Sequence, residues 1–235
     1  MVSTIPDRVA RFREEYRGAE IGPSYSGWGH FLFTTLGALA AILAAASQLH
    51  DVHGAEWAMI PGAFLVANFG EYFGHRGPMH RPMRGLKLLF RRHTQQHHHF
   101  YTHEAMAAES PRDFKMVLFP PVMLLFFIGG LALPIGALFY YLVSPNSGLL
   151  FAVVAISYFL CYEWFHFSYH LPEGSWVGRL PFMRTLRRHH TRHHDLSLMG
   201  KWNYNITFPI ADKIFGTYFE GADHDAISAR HTPSV

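Results

Sequence analysis

Four stretches of this chain read as membrane spans: residues 28–49, 57–73, 116–143 and 149–165. At about 1.5 Å of rise per residue, the first covers the roughly 30 Å hydrocarbon core as a single helix. It contains Trp28 and Phe31, then an Ala/Leu-rich run. The second is shorter and carries Pro61, Asn68 and Glu71. The third contains Pro120, Pro121, Gly129, Gly130 and Pro134, so it is either one kinked helix or a hairpin turning at the glycine pair. Each half of such a hairpin is too short to cross. A crossing hairpin would also separate His75 and His80, after the second span, from His166 and His170, at the end of the fourth. One crossing is therefore expected there, and four in all.

Charge placement orients the spans. Arg76, Arg81, Arg84, Lys87, Arg91 and Arg92 lie between spans two and three, and Arg179, Arg184, Arg187, Arg188 and Arg192 follow span four. Residues 48–56 and 144–148 hold no Lys or Arg. The positive-inside rule then puts the histidine-bearing side and both termini in the cytosol. Charged residues make up 16% of the chain, below the roughly 25% of a soluble domain. The net charge of +3 belongs to membrane-flanking clusters rather than to a nucleic-acid surface.

The expected fold is all-α: a four-transmembrane-helix integral membrane protein with a cytosolic, histidine-rich helical cap. Residues 1–27 form a polar cytosolic segment with no apolar core of a signal peptide. Residues 28–220 are expected to form one domain that holds all four spans, and 221–235 a tail with little pattern.

The 18 histidines change the picture from membrane protein to metalloprotein. Ten fall in four groups: His75 and His80 (H-x4-H), His93 with His97 and His98 (H-x3-H-H), His166 and His170 (H-x3-H), and His190 with His193 and His194 (H-x2-H-H). Imidazole is the commonest protein metal ligand and suits iron, zinc, copper and nickel. Residues three or four apart share a helix face, so His166 and His170 can aim at one ion, as can His190 with His193 and His194. His75 and His80 would stand about 140° apart on an ideal helix, and Pro78 between them can break it. His98 lies off the face shared by His93 and His97, so that helix is irregular or two ions divide the group. Ten rings exceed one coordination sphere and suit two ions. The lone Cys161 supports no thiolate site. No H-E-x-x-H, G-x-S-x-G or phosphate-loop motif appears.

These four groups in this order resemble the fatty acid hydroxylase and sterol desaturase superfamily. Asn203-Tyr-Asn205 and residues 212–219, DKIFGTYF, also resemble its C-terminal end, and the likeness spans residues 71–220. The resemblance implies a membrane-embedded di-iron centre that uses O2 to attack an unactivated C–H bond of a lipid. It implies as ligands His75, His80, His93, His97, His98, His166, His170, His190, His193 and His194. Two iron ions are the expected cofactor, O2 the co-substrate, and zinc an occupant of purified protein. The segment before span one is too short for a fused cytochrome b5 domain. Electrons are therefore expected from a separate cytochrome b5-like protein, ferredoxin or reductase. The leading function is lipid hydroxylation on a fatty acyl, sphingolipid or sterol-like substrate. The alternative is desaturation at the same centre; membrane metal transport is the third reading, disfavoured because span one is nearly apolar. A bacterial inner membrane is favoured over the endoplasmic reticulum, because no dilysine signal closes the chain.

Other polar residues carry weaker expectations. His99, His103 and His189 are expected beside the site or at the surface, which leaves the register at His98/His99 and His189/His190 open. His30, His50 and His53 read as interfacial, and His224 and His231 as solvated. Glu71 and Glu163 lie one turn before His75 and His166. They are expected to hydrogen-bond a ligand ring and so set its tautomer. Asp195 and Asp212 are expected to do the same, or to pair with arginines.

Overall fold

A computed structural model describes residues 5–219 together with Gly221. The tail, with His224 and His231, lies outside the described residues. Among those described, all regular elements are helical, with one isolated bridge between Thr102 and Ala105. The longer elements are α1 (Asp7–Glu20), α2 (Gly27–Ala46) and α3 (Met59–Gly74). α4 spans residues 87–100 as three contiguous helical pieces. α5 (Pro121–Leu142), α6 (Pro145–Tyr169), α7 (Pro181–His193) and the short α8 (Ile210–Ile214) follow.

Three helices, α2, α5 and α6, are long and apolar enough to cross a membrane. α2 and α5 expose Leu32, Phe33, Leu36, Leu43, Val122, Leu125, Phe126, Leu133 and Leu138, the surface expected of helices facing lipid. α5 passes without a turn through Gly129 and Gly130, where Phe126–Ala132 is a π-helical stretch. The third apolar stretch is therefore one helix. It starts at Pro121 rather than at residue 116, because Leu118 and Pro120 are extended and Phe114–Val117 is a separate turn. α6 starts at Pro145, four residues before the apolar run, because Ser144 accepts a hydrogen bond from the Ser147 amide as its N-cap.

α6 is the central helix and packs against α2, α3 and α5. The α5–α6 hairpin is tight. A methyl group on Gly148 would collide with the Gly136 carbonyl and with Tyr140, the close approach that small residues permit between apolar helices. At the far end of this hairpin, Asn146 exchanges hydrogen bonds with the backbone of His50, and Glu56 accepts from Asn146, Ser144 and the His53 amide. The α2–α3 and α5–α6 connections are thereby held together at one end of the bundle. His50 and His53 are exposed there, as expected. His30 departs from the interfacial expectation: it is buried, with Nε2 on the Phe119 carbonyl at 2.9 Å and Nδ1 on the Tyr25 hydroxyl at 2.8 Å.

Candidate metal centre

All ten motif histidines converge at the opposite end of the bundle, in two groups of five. The first is His75, His80, His93, His98 and His193; the second is His97, His166, His170, His190 and His194. Within each group the ligand atoms lie within 4.8 Å of one another.

Backbone geometry sorts the rings. His75–Met79 is a π-helical turn kinked at Gly77, and Arg91–His97 is a π-helix. A π turn bonds each residue to the fifth along and so aligns i with i+5. The His75/His80 and His93/His98 pairs have that spacing, and both belong to the first group. Their ring centroids are 4.9 and 4.7 Å apart. The His166/His170 and His190/His194 pairs lie at i and i+4, on or at the end of α-helices, and both belong to the second. His97 leaves its neighbours to join the second group, and His193 leaves α7's face to join the first. The helix is irregular, and the three rings of the H-x3-H-H motif are divided between the two histidine groups.

The donor set fits a cation in each group. Eight Nε2–Nε2 separations fall between 2.8 and 3.2 Å. At a metal–nitrogen distance of about 2.1 Å, ligands at right angles stand about 3.0 Å apart and tetrahedral ones about 3.4 Å. Separations of this order let rings of one group share an ion. Tautomers make the same point. His97 and His194 commit their Nδ1 hydrogens to the carbonyls of Met116 and Tyr101, at 2.9 and 2.5 Å. Their Nε2 atoms are then both acceptors, yet stand 3.2 Å apart. Two lone pairs at that distance repel unless a cation lies between them or one ring is protonated. Burial opposes protonation: it pushes both imidazoles well below their ordinary pKa, and His75 down to about 4 against the opposing pull of the Tyr204 carbonyl.

The outer partners are backbone carbonyls, not acids. His75 donates to Tyr204 at 2.5 Å, His193 to Trp202 at 3.0 Å and His170 to Met106 at 2.8 Å. Asn203, between two of these carbonyls, adopts a left-handed φ of 60°, which Asn tolerates better than most residues. Its side chain donates to the His189 carbonyl and accepts from the Phe219 amide.

Glu71 and Glu163 do not contact a ligand ring. Glu71 accepts from the Ile206 and Thr207 amides and from the hydroxyls of Tyr158 and Thr207, at 2.5–3.1 Å. Glu163 accepts from the Phe119 amide at 3.3 Å. Each satisfies backbone donors left bare where an irregular segment meets a helix. Asp212 likewise accepts from the Tyr204 and Asn205 amides, and Asp195 from Ser197.

At the ambiguous registers, His98 and His190 lie in the groups. His99 is exposed and bonded to the Thr94 carbonyl. His189 donates from Nε2 to the Asn205 carbonyl at 2.9 Å. His103 is exposed.

An apolar cavity of about 450 Å³ runs between α3, α5 and α6 and ends at His75; Gly70, Gly74, Met79, Leu89, Phe119, Phe127 and Tyr162 are among its walls. A small cavity of about 30 Å³ touches His93 of the first group and His97 and His166 of the second. The two cavities share Met79, Leu89, Phe119 and Tyr162.

An all-helical membrane protein with twin buried histidine clusters beside a greasy cavity is the class that fold and site define. The sequence matches the family described as Fatty acid hydroxylase over residues 60–217. This chain belongs to that family, whose members are in general oxidoreductases acting on lipids. No curated protein and no solved structure matches it.

Proposed function

We propose that this chain is a membrane-bound di-iron monooxygenase that hydroxylates a C–H bond of a lipid. The observation that carries this reading is the apolar cavity walled by α3, α5 and α6 that reaches His75 of the first histidine cluster. Its volume lies in the range of pockets that enclose most of a small ligand. Two iron ions held by the ten imidazoles supply the activation of O2. The protein's own part is to hold neutral rings, exclude water and bring one carbon of the chain to the clusters. The small cavity that touches both clusters is the space for O2. The reaction consumes O2, two electrons and two protons and yields the alcohol and water, so a separate electron carrier must dock on the cytosolic face.

The test is lipid mass spectrometry of membranes with and without the protein, supplied with a reductant. A product heavier by one oxygen atom is expected. A product lighter by two hydrogens would replace hydroxylation with desaturation, and unchanged lipids would overturn the assignment.

Four crossings belong to this reading. α3 has 16 residues, or about 24 Å, and the 3₁₀ turn Glu56–Ala58 adds about 6 Å. Its N-terminal side is tied to the start of α6, and His75 at its far end belongs to the cluster that meets the cluster of His166 and His170 through the His98 and His194 rings, 4.4 Å apart. α3 and its 3₁₀ turn thus rise about 30 Å beside α6, enough to cross the hydrocarbon core. In a Cys161→Ser background, cysteines at Gln48 and Arg91 are expected to react with impermeant reagents from opposite faces of the membrane. Labelling of both from one face would remove α3 as a span.

A further inference from the structure

Arg13 lies on α1, outside the family match, and its side chain is fully buried. A buried guanidinium is costly unless its donors are met. Here Nε donates to the Phe100 carbonyl at 2.8 Å, Nη2 to Ala105 at 2.6 Å and Nη1 to Ala107 at 3.2 Å, with Glu109 at 3.6 Å. These three carbonyls alternate with two others. The Tyr101 carbonyl accepts from His194, and the Met106 carbonyl accepts from His170. Residues 100–107 are therefore a layer one residue thick. One set of carbonyls faces Arg13, and the set between them faces the second histidine cluster. The Tyr101 ring contacts both, with the guanidinium 5.3 Å and the His170 ring 4.2 Å from its centroid. Two backbone bonds lace the same layer to the ligands: the His103 amide to the His194 carbonyl, and the Ala108 amide to the His170 carbonyl.

We infer that Arg13 is a positioning residue for the second metal site: by gripping three carbonyls of residues 100–107, it aims the two between them at His170 and His194. The inference rests on the two-metal reading. The planar guanidinium holds three donors in fixed, spread directions toward three carbonyls, which the compact ammonium of lysine does not reproduce. The first cluster takes its carbonyls from Trp202 and Tyr204 and does not depend on this layer. The effect of Arg13 is therefore confined to one of the two sites.

The test loads purified full-length protein with ferrous iron alone, without oxygen, and measures metal per chain and its release to a chelator. Wild type is expected to hold two ions, and Arg13→Ala to bind one of them about 10–100-fold more weakly, the usual cost of losing an outer partner. In a His194→Ala background, Arg13→Ala is expected to change nothing further; in a His98→Ala background it is expected to release the remaining ion. Arg17→Ala removes the neighbouring pairs to Asp113 and Glu109 and is expected to keep both ions. If Arg13→Ala is not recovered, Arg13→Lys is read the same way, with a smaller loss at the same single site. Two ions held as tightly as in wild type, or equal loss from both sites, overturns the inference alone. Fewer than two in wild type overturns the two-metal reading, and the inference with it.

Discussion

His190→Ala is expected to abolish lipid product, a loss of at least about a hundredfold, while His189→Ala costs no more than about tenfold. The Nε2 atom of His190 stands 3.2 Å from that of His170 and 3.0 Å from that of His194, inside the second cluster. Its removal leaves four rings and a gap in a buried site that water cannot fill with the same geometry. His189 instead points across α7 to the Asn205 carbonyl and stacks on Tyr218 at 5.2 Å. Its loss loosens the 203–208 segment without removing a donor from either cluster. His53→Ala, exposed at the other end of the bundle, is the control and is expected to keep wild-type activity. Product and metal content are measured together, with protein levels matched. An inactive His189→Ala beside an active His190→Ala would move the register by one residue.

The second large effect concerns the cavity. Gly70 and Gly74 line it one helical turn apart, and a Cβ built at either meets nothing within 4 Å. Leucine at Gly74 is expected to lower product from the native lipid at least about tenfold, with both metal ions retained. Gly70→Leu, further from His75, is expected to shift preference toward shorter chains. Neither change should harm α3, because leucine is a better helix former than glycine by roughly 0.5–1 kcal/mol. Each side chain then competes with substrate for the same space. Unaltered rates and chain-length preference in both variants would mean that substrate enters elsewhere.

Much of this site was legible as spacing. His75/His80 and His93/His98 announce an irregular helix, because five residues do not return to one face of an α-helix. The two i, i+4 pairs announce a regular one. The allotment of His97 and His193 to the opposite clusters was not legible, because it depends on how α4 and α7 face each other. The carbonyls of Tyr101, Met106, Met116, Trp202 and Tyr204 were beyond reach, since any residue type supplies a carbonyl. The acids misled for a related reason: Glu71 and Glu163 lie one turn from ligands in sequence, yet their bonds go to the backbone of segments far along the chain. Arg13 left a faint signal, an arginine between Val9, Phe12 and Tyr16 on the buried side of a helix that otherwise reads as polar.

The order of the ligands along the chain has a consequence for biogenesis. Four of the five rings of the first cluster lie within the first 98 residues, whereas the second has only His97 there. The ribosome therefore delivers a nearly complete first cluster before α5 and α6 exist, and the second gathers His166 and His170 only with the end of α6. Adjacent residues at the end of α7, His193 and His194, then supply the last ring of each cluster. A nascent chain halted before α7 leaves the first cluster one ring short and the second two. The last ring of each cluster arrives within two residues of translation, so no long stage separates a complete histidine cluster from an incomplete one.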